Sequence, residues 1–215
     1  MRNNFTPEDL QNKNEFILLD TVSYKQLKPF VIKAIQKKSK LITIYSIIQL
    51  LALITATLIL GILIYQSFKQ ERLTEPLKWY LIAIGCSVTI VIPVHELLHA
   101  ATFLILGKKN IGFGAQFQKF IFYAEADRQV MDKREMTIVA FAPLVMIGLL
   151  SLIFCMINIS SPISYLGVGI FLIHFLFCAG DMAIVAYFSQ KEGIYSFDDR
   201  KEKASYFYQK REHLN

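Results

Sequence analysis

The sequence predicts an all-α membrane protein with about four transmembrane helices, and two observations lead to this fold class. Four apolar stretches, at residues 41–66, 79–106, 136–158 and 163–188, are each long enough to cross a hydrocarbon core of about 30 Å as a helix. The chain is 54% apolar with a mean hydropathy of +0.41, and the four stretches contain none of its 23 Lys and Arg residues. A soluble globular protein is therefore not expected.

The distribution of basic residues predicts the orientation of these helices. Residues 1–40 carry eight Lys or Arg, residues 107–135 carry six and residues 189–215 carry six, whereas residues 67–78 carry three and residues 159–162 none. Because basic residues stay on the cytoplasmic side, we expect a multi-pass protein of the cell membrane with both termini in the cytoplasm. Membrane lipids with anionic headgroups account for the formal charge of +6, so no nucleic-acid partner is expected.

The chain is expected to form one transmembrane domain, residues 41–188, between a cytoplasmic N-terminal segment, residues 1–40, and a cytoplasmic tail, residues 189–215. In the N-terminal segment, apolar residues recur at helical spacing among lysines, with Pro29 near the expected helix start. These apolar residues are Leu27, Phe30, Val31, Ala34 and Ile35. The pattern is typical of an interfacial helix, and equally of a solvated lead into the first span.

Two acidic residues in the apolar stretches point to a functional site. Glu96 lies within His95-Glu96-Leu97-Leu98-His99, and Asp181 lies in the fourth stretch. Insertion scales put the cost of such a residue at roughly 2.5 to 3.5 kcal/mol. Since residues four apart share one face of a helix, His95 and His99 can present ring nitrogens to one metal ion, and two imidazoles suit zinc. Glu96 can then take a proton from a water at the ion, which is the chemistry of amide hydrolysis. The alternative is a polar patch that joins helices by hydrogen bonds.

Asp181 is the candidate for the third protein ligand that a catalytic zinc site usually has. The second and fourth spans are predicted to run in the same direction. His95 and His99 lie 16 and 20 residues past Trp79, and Asp181 lies 18 residues past Ile163, so the three side chains are expected at similar depth. The alternative for Asp181 is a helix-terminal residue near the headgroups.

His174 and the cysteines are harder to interpret. His174 shares a helical face with Cys178 and Asp181 but lies about 10 Å from Asp181 along the helix. A role beside the metal ligands, a role toward the substrate and a hydrogen-bonded packing role all stay open. Cys86, Cys155 and Cys178 fall inside the spans without a metal-type spacing, and we interpret them as small buried apolar residues.

Several motifs, taken in order, resemble a known family. The helix with His95-Glu96-Leu97-Leu98-His99, a following loop with Gly and aromatic residues, Ala140-Phe141-Ala142-Pro143-Leu144, and Gly180-Asp181 resemble the putative zincin peptidases of bacterial membranes. These are similar in turn to the site-2 intramembrane metalloproteases. The resemblance covers roughly residues 80–210. It implies that His95, His99 and Asp181 are zinc ligands and that Glu96 is the catalytic base.

The loop between the second and third spans is predicted to contain a strand or hairpin. Apolar residues alternate there, broken by Lys119, and they are Phe113, Ala115, Phe117, Ile121 and Tyr123. In site-2 proteases a sheet element at this place lies beside the substrate. The resemblance therefore implies that a strand edge pairs with an unwound peptide, whereas alternation alone fits an ordinary interfacial hairpin equally well.

The sequence leads to the hypothesis of a zinc-dependent intramembrane peptidase that acts on a membrane-spanning or membrane-adjacent peptide, with Zn²⁺ as its cofactor. The alternative is a noncatalytic membrane protein that uses the His, Glu and Asp cluster as a structural or partner-binding metal site. A metal or proton carrier is disfavoured because the first and third apolar stretches contain no charged residue. The oligomeric state is not predicted.

Overall fold

The computed structural model describes residues 5–36, 39–116, 118 and 121–213. The chain falls into two compact units, each described here by itself. The sheet unit comprises the described parts of residues 1–42, 96–142 and 180–215, and the helical unit comprises residues 43–95 and 143–179. The boundary crosses one continuous helix between His95 and Glu96.

The helices account for most of the described residues. They are α1 Pro7–Leu10, α2 Leu27–Gln36, α3 Lys40–Lys69, α4 Glu75–Cys86, α5 Ile92–Ile105, α6 Lys133–Ile157, α7 Ser164–Phe177 and α8 Ala179–Ser189. Three helical stretches are long and apolar enough to cross a membrane, namely Lys40–Lys69, Glu75–Ile105 and Lys133–Ile157, and a fourth is present if the bent pair α7 and α8 counts as one span. These helices indicate a membrane protein.

The expectation of an all-α protein with one hairpin is only partly correct, because the sheet unit also contains a four-stranded sheet. The strands are β1 Phe16–Ser23, β2 Ile111–Gln116, β3 Ile121–Ala126, β4 Met131–Asp132, β5 Ile194–Asp199 and β6 Ala204–Lys210. The larger sheet is antiparallel with the order β1-β6-β5-β4. The predicted hairpin is present as β2 and β3, which pair from Ile111 with Ala126 to Gln116 with Ile121. Phe117 and Lys119 lie outside the described residues.

Helix α2 and the four-stranded sheet share an aromatic core in the sheet unit. Phe207 of β6 stacks on Phe30 of α2 and contacts Tyr187 and Phe188 of α8. The predicted helix around Pro29 is therefore present, and its apolar face packs against protein through Leu27 and Phe30. The side chains of Ala34 and Ile35 are outside the described part of the chain. Whether α2 also contacts the membrane surface stays a prediction.

In the helical unit, α4 packs closely against α7 because Gly169 of α7 faces α4. A Cβ atom placed on Gly169 would lie 2.5 Å from the Cβ of Ala83, a separation that real side chains do not reach. Tyr80 is also in this contact and donates a hydrogen bond to the carbonyl of Ala56 in α3, at 3.1 Å. Small residues allow such close approach between membrane helices, where packing rather than the hydrophobic effect holds helices together.

The fourth apolar stretch is not one straight helix, because it is broken at Cys178. Two carbonyl groups near the end of α7 accept hydrogen bonds from side chains of α3: Tyr45 Oη donates to Phe175 at 2.7 Å, and Gln49 Nε2 donates to Leu176 at 3.1 Å. In a membrane, carbonyls released by a helix break must find partners inside the protein. The polar side chains of α3 fulfil this requirement.

A π-helical segment, Ser87–Val91, joins α4 to α5. It ends two residues before Pro93, which has no N–H to donate to the carbonyl of Thr89. Wide turns of this kind occur at irregular points of helices and are frequent at functional sites. Here the wide turn lies immediately before the segment that carries His95 and His99.

Candidate metal centre

Helix α5 carries three residues of the predicted site. His95 and His99 are both buried, with 8% and 7% of their surface exposed, and they lie one helical turn apart on this helix. Glu96 is partly buried. The helix alone therefore places both imidazoles on one face, as the spacing predicts.

In the sheet unit, His99 lies beside Asp181. Its Nε2 is 3.3 Å from Oδ1 of Asp181, and its Nδ1 is 3.0 Å from the carbonyl oxygen of Val139. Because a carbonyl only accepts, Nδ1 must carry the proton, and in the neutral ring Nε2 then presents a lone pair toward the carboxylate. Two acceptors that face each other in this way are held by a cation between them, either a proton or a metal ion. A histidine whose other nitrogen donates to a backbone carbonyl is typical of metal ligands.

Asp181 lies in the first turn of α8, directly after the break at Cys178. A carboxylate is stabilised at this position by the partial positive charge at a helix N-terminus. Asp181 thus lies near a helix terminus and contacts a histidine of the motif, whereas its depth in the membrane stays a prediction.

In the helical unit, His95 contacts His174. Its Nδ1 lies 3.0 Å from Nε2 of His174, which is 1% exposed. Cys178, fully buried, has its Sγ 3.6 Å from the same nitrogen of His174. The sequence analysis correctly interpreted Cys178 as a small buried residue and noted that it shares a helical face with His174, but it did not predict this polar contact. The four-residue spacing from His174 to Cys178 was the signal that could have shown it.

Among the described residues, His, Cys and Asp side chains form groups that could hold a metal ion. One group is His95, His174 and Cys178, whose donor atoms lie within 4.8 Å of one another, and another contains His99 and Asp181. Imidazole, thiolate and carboxylate are the ligands that zinc takes in proteins, so these residues fit a zinc ion by their chemistry.

Residues 88–193 match the family described as putative zincin peptidase. The matched segment contains His95, Glu96, His99 and Asp181, so each predicted site residue lies inside the zincin peptidase region. No curated protein and no solved structure matches the chain. The family match indicates a zinc metallopeptidase, whereas the similarity to site-2 proteases stays a prediction.

The zincin peptidase region contributes to a cavity of about 210 Å³ within the sheet unit. Glu96, His99 and Asp181 line this cavity, and most of the remaining wall is apolar. Helix α2 lines it with Leu27, Phe30 and Val31, and strand β3 lines it with the consecutive residues 121–125. Five of the six residues of β3 therefore lie along the wall of the cavity.

A polar cluster that the sequence analysis did not single out also borders the cavity. Glu125 of β3 accepts hydrogen bonds from the Tyr24 hydroxyl and, at 2.5 Å, from Nε of Arg200. Asp198 of β5 accepts a hydrogen bond from Ser205 at 2.5 Å. The pKa of Asp198 is raised to about 6, mainly by burial and also by the carboxylate of Glu125, against the opposing effect of the hydrogen bond from the Ser205 hydroxyl. Side-chain hydrogen bonds to Glu125 join segments that are distant in the sequence, which no local pattern reveals.

Proposed function

We propose that the protein is a zinc-dependent peptidase of the cell membrane, in which His95, His99 and Asp181 bind the metal ion and Glu96 is the catalytic base. The contact of His99 Nε2 with Asp181 beside a cavity that Glu96 also lines carries this proposal. The family match to residues 88–193 supports it. His95, one turn before His99 on α5, completes the ligand set that a catalytic zinc site requires.

The reaction is hydrolysis of a peptide bond. Zinc, when bound, polarises the scissile carbonyl and lowers the pKa of water toward about 7. Glu96 takes a proton from the attacking water as its oxygen bonds to the carbonyl carbon, and then gives that proton to the leaving amine nitrogen as the C–N bond breaks. The carbonyl of Val139 fixes the ring of His99 by accepting from Nδ1, so that Nε2 keeps its orientation throughout.

The substrate is a membrane-spanning or membrane-adjacent peptide that binds in an extended form. The position of β3 along the cavity supports this mode, because an extended peptide can add to a free strand edge by main-chain hydrogen bonds. Within the described part of the chain, β3 has one strand partner, β2. A helical substrate must first unwind, since its amides are otherwise bonded within the helix. Both termini lie in the cytoplasm in this proposal, as the basic residues predict.

Metal content and peptide cleavage, measured on the same samples, test the proposal. The full chain is purified in mild detergent, its zinc is measured by elemental analysis, and cleavage is assayed with a quenched fluorescent peptide library. We expect near-stoichiometric zinc in the wild type, loss of zinc in His95→Ala, loss of cleavage in His99→Ala and Asp181→Ala, and retained zinc without cleavage in Glu96→Gln. Circular dichroism checks the fold of each variant.

Each departure from this pattern has a defined meaning. Zinc that persists in the three alanine variants would place the ion elsewhere and refute the ligand assignment. Zinc bound as expected, but with equal cleavage in wild type and Glu96→Gln, would refute the role of Glu96. A metal site with no cleavage in any form would favour the noncatalytic alternative, a structural or partner-binding metal site.

A further inference from the structure

The helical unit contains a second set of metal-binding atoms besides the proposed catalytic ligands. His95 Nδ1, His174 Nε2 and Cys178 Sγ are all buried. The two nitrogens are 3.0 Å apart, and the sulfur lies 3.6 Å from Nε2 of His174. Because Nδ1 of His95 faces His174, we assign His95 to the proposed catalytic site through its other ring nitrogen, Nε2. The proposed catalytic site therefore uses none of these three atoms.

Two of the three separations between these atoms are close to those of ligands around one ion, and all three atoms lie within 4.8 Å of one another. With metal–nitrogen bonds of about 2.05 Å, metal–sulfur bonds of about 2.3 Å and tetrahedral angles, two nitrogens lie about 3.3 Å apart and a nitrogen and a sulfur about 3.6 Å apart. The observed nitrogen–sulfur distance agrees with this value, and the nitrogen–nitrogen distance is about 0.3 Å shorter, within the reach of small rotations of two rings.

We propose that His95, His174 and Cys178 form a second metal site for a thiophilic ion, Zn²⁺ or Cu⁺. Thiolate and imidazole ligands together select these ions over Mg²⁺, Ca²⁺ or Mn²⁺. Binding converts the Cys178 thiol to a thiolate, and the displaced proton is released to solvent. Because the cluster is buried, the thiolate is stable there only when a cation neutralises its charge, since an unpaired buried charge is costly.

The second site excludes the proposed catalytic site because both use His95. A neutral imidazole has one lone pair and one N–H. When Nδ1 binds an ion in the second site, the ring proton lies on Nε2, which then has no lone pair for an ion shared with His99 and Asp181. Occupation of the second site therefore removes one ligand from the first and switches the peptidase off. This consequence rests on the proposed function, whereas the second site itself does not.

Titration of the metal-free full chain with Co²⁺ tests the second site directly. Cobalt takes zinc sites and gives a strong near-ultraviolet charge-transfer band only when a thiolate is bound to it. We expect this band in Asp181→Asn from the first equivalent, because that change weakens the competing site and leaves His95, His174 and Cys178 intact. In the wild type, where the two sites compete for His95, the band should be weaker than in Asp181→Asn at the same cobalt concentration.

Cysteine variants identify the sulfur. In the Asp181→Asn background, Cys178→Ser should abolish the band, and Cys155→Ser, whose thiol instead contacts the carbonyl of Ser164, should leave it unchanged. Cys178→Ala replaces Cys178→Ser if the latter does not fold. Absence of the band in both wild type and Asp181→Asn, or a band that survives loss of Cys178, would overturn the proposal. A wild-type band as strong as that of Asp181→Asn would support the second site and contradict its competition with the proposed catalytic site for His95.

Discussion

Asp198→Asn should stabilise the protein at pH 8 and have little effect at pH 4. Asp198 lies in β5, outside the membrane helices, and its burial, together with the nearby carboxylates of Glu125 and Asp127, raises its pKa from 3.8 to about 6. Between these values the folded protein binds a proton that the unfolded chain releases, so the free energy of unfolding falls as the pH rises through this window. A shift of about two units corresponds to about 3 kcal/mol at pH above 6.

The asparagine variant has the same size as the wild-type residue, keeps an oxygen that can accept from Ser205, and carries no charge. It should therefore unfold at a higher temperature than the wild type at pH 8, and the difference should shrink toward zero at pH 4. Thermal unfolding in mild detergent, followed by circular dichroism, measures both. The matched control is the adjacent Asp199→Asn, which loses an ion pair with Arg128 at 3.1 Å and should be destabilising at pH 8. A stability difference between wild type and Asp198→Asn that does not change with pH would refute the reasoning.

Two further predictions concern the helical unit, and thermal unfolding in detergent measures both. Gly169→Ala should destabilise the protein by about 1 to 3 kcal/mol through overpacking between α4 and α7. In the control, Gly148→Ala, the new Cβ would meet its nearest neighbour at 3.7 Å, and the protein should be stabilised by up to about 1 kcal/mol. Similar effects of the two changes would contradict the close contact. Gln49→Leu should destabilise by about 0.6 to 1.7 kcal/mol through loss of its bond to the Leu176 carbonyl, whereas Thr57→Val, which removes a bond within α3, should have a smaller effect.

The features that the sequence predicted correctly depend on local patterns. The apolar stretches identify the spanning helices because a membrane helix needs about 20 apolar residues in succession. The hairpin β2 and β3 follows from alternation over a dozen residues. The placement of His95 and His99 on one face of α5 follows from a spacing of four. Each of these requires information from a single segment of the chain.

The four-stranded sheet was not predicted because its pairing joins the two ends of the chain. Phe16 in β1 pairs with Lys210 in β6, and no local pattern specifies a partner at that separation. The same holds for the polar cluster at the cavity, where Tyr24 near the N-terminus and Arg200 near the C-terminus both bond to Glu125. Pairing over such distances is decided by burial in the folded chain rather than by local propensity.

The break at Cys178 gives Asp181 a local environment that counting residues along a predicted span does not reveal. The count assumed a straight helix from residue 163 to residue 188, but the helix ends at Phe177 and a new one begins at Ala179. The break gives Asp181 a position in the first turn of α8, where the helix N-terminus stabilises its charge. The exposed carbonyls that such a break leaves in α7 would be costly in a membrane, and Tyr45 and Gln49 of α3 bond to two of them. The first span contains no charged residue, but its polar residues Tyr45 and Gln49 stabilise the end of α7 at the helix break. Asp181 lies directly after this break, in the first turn of α8.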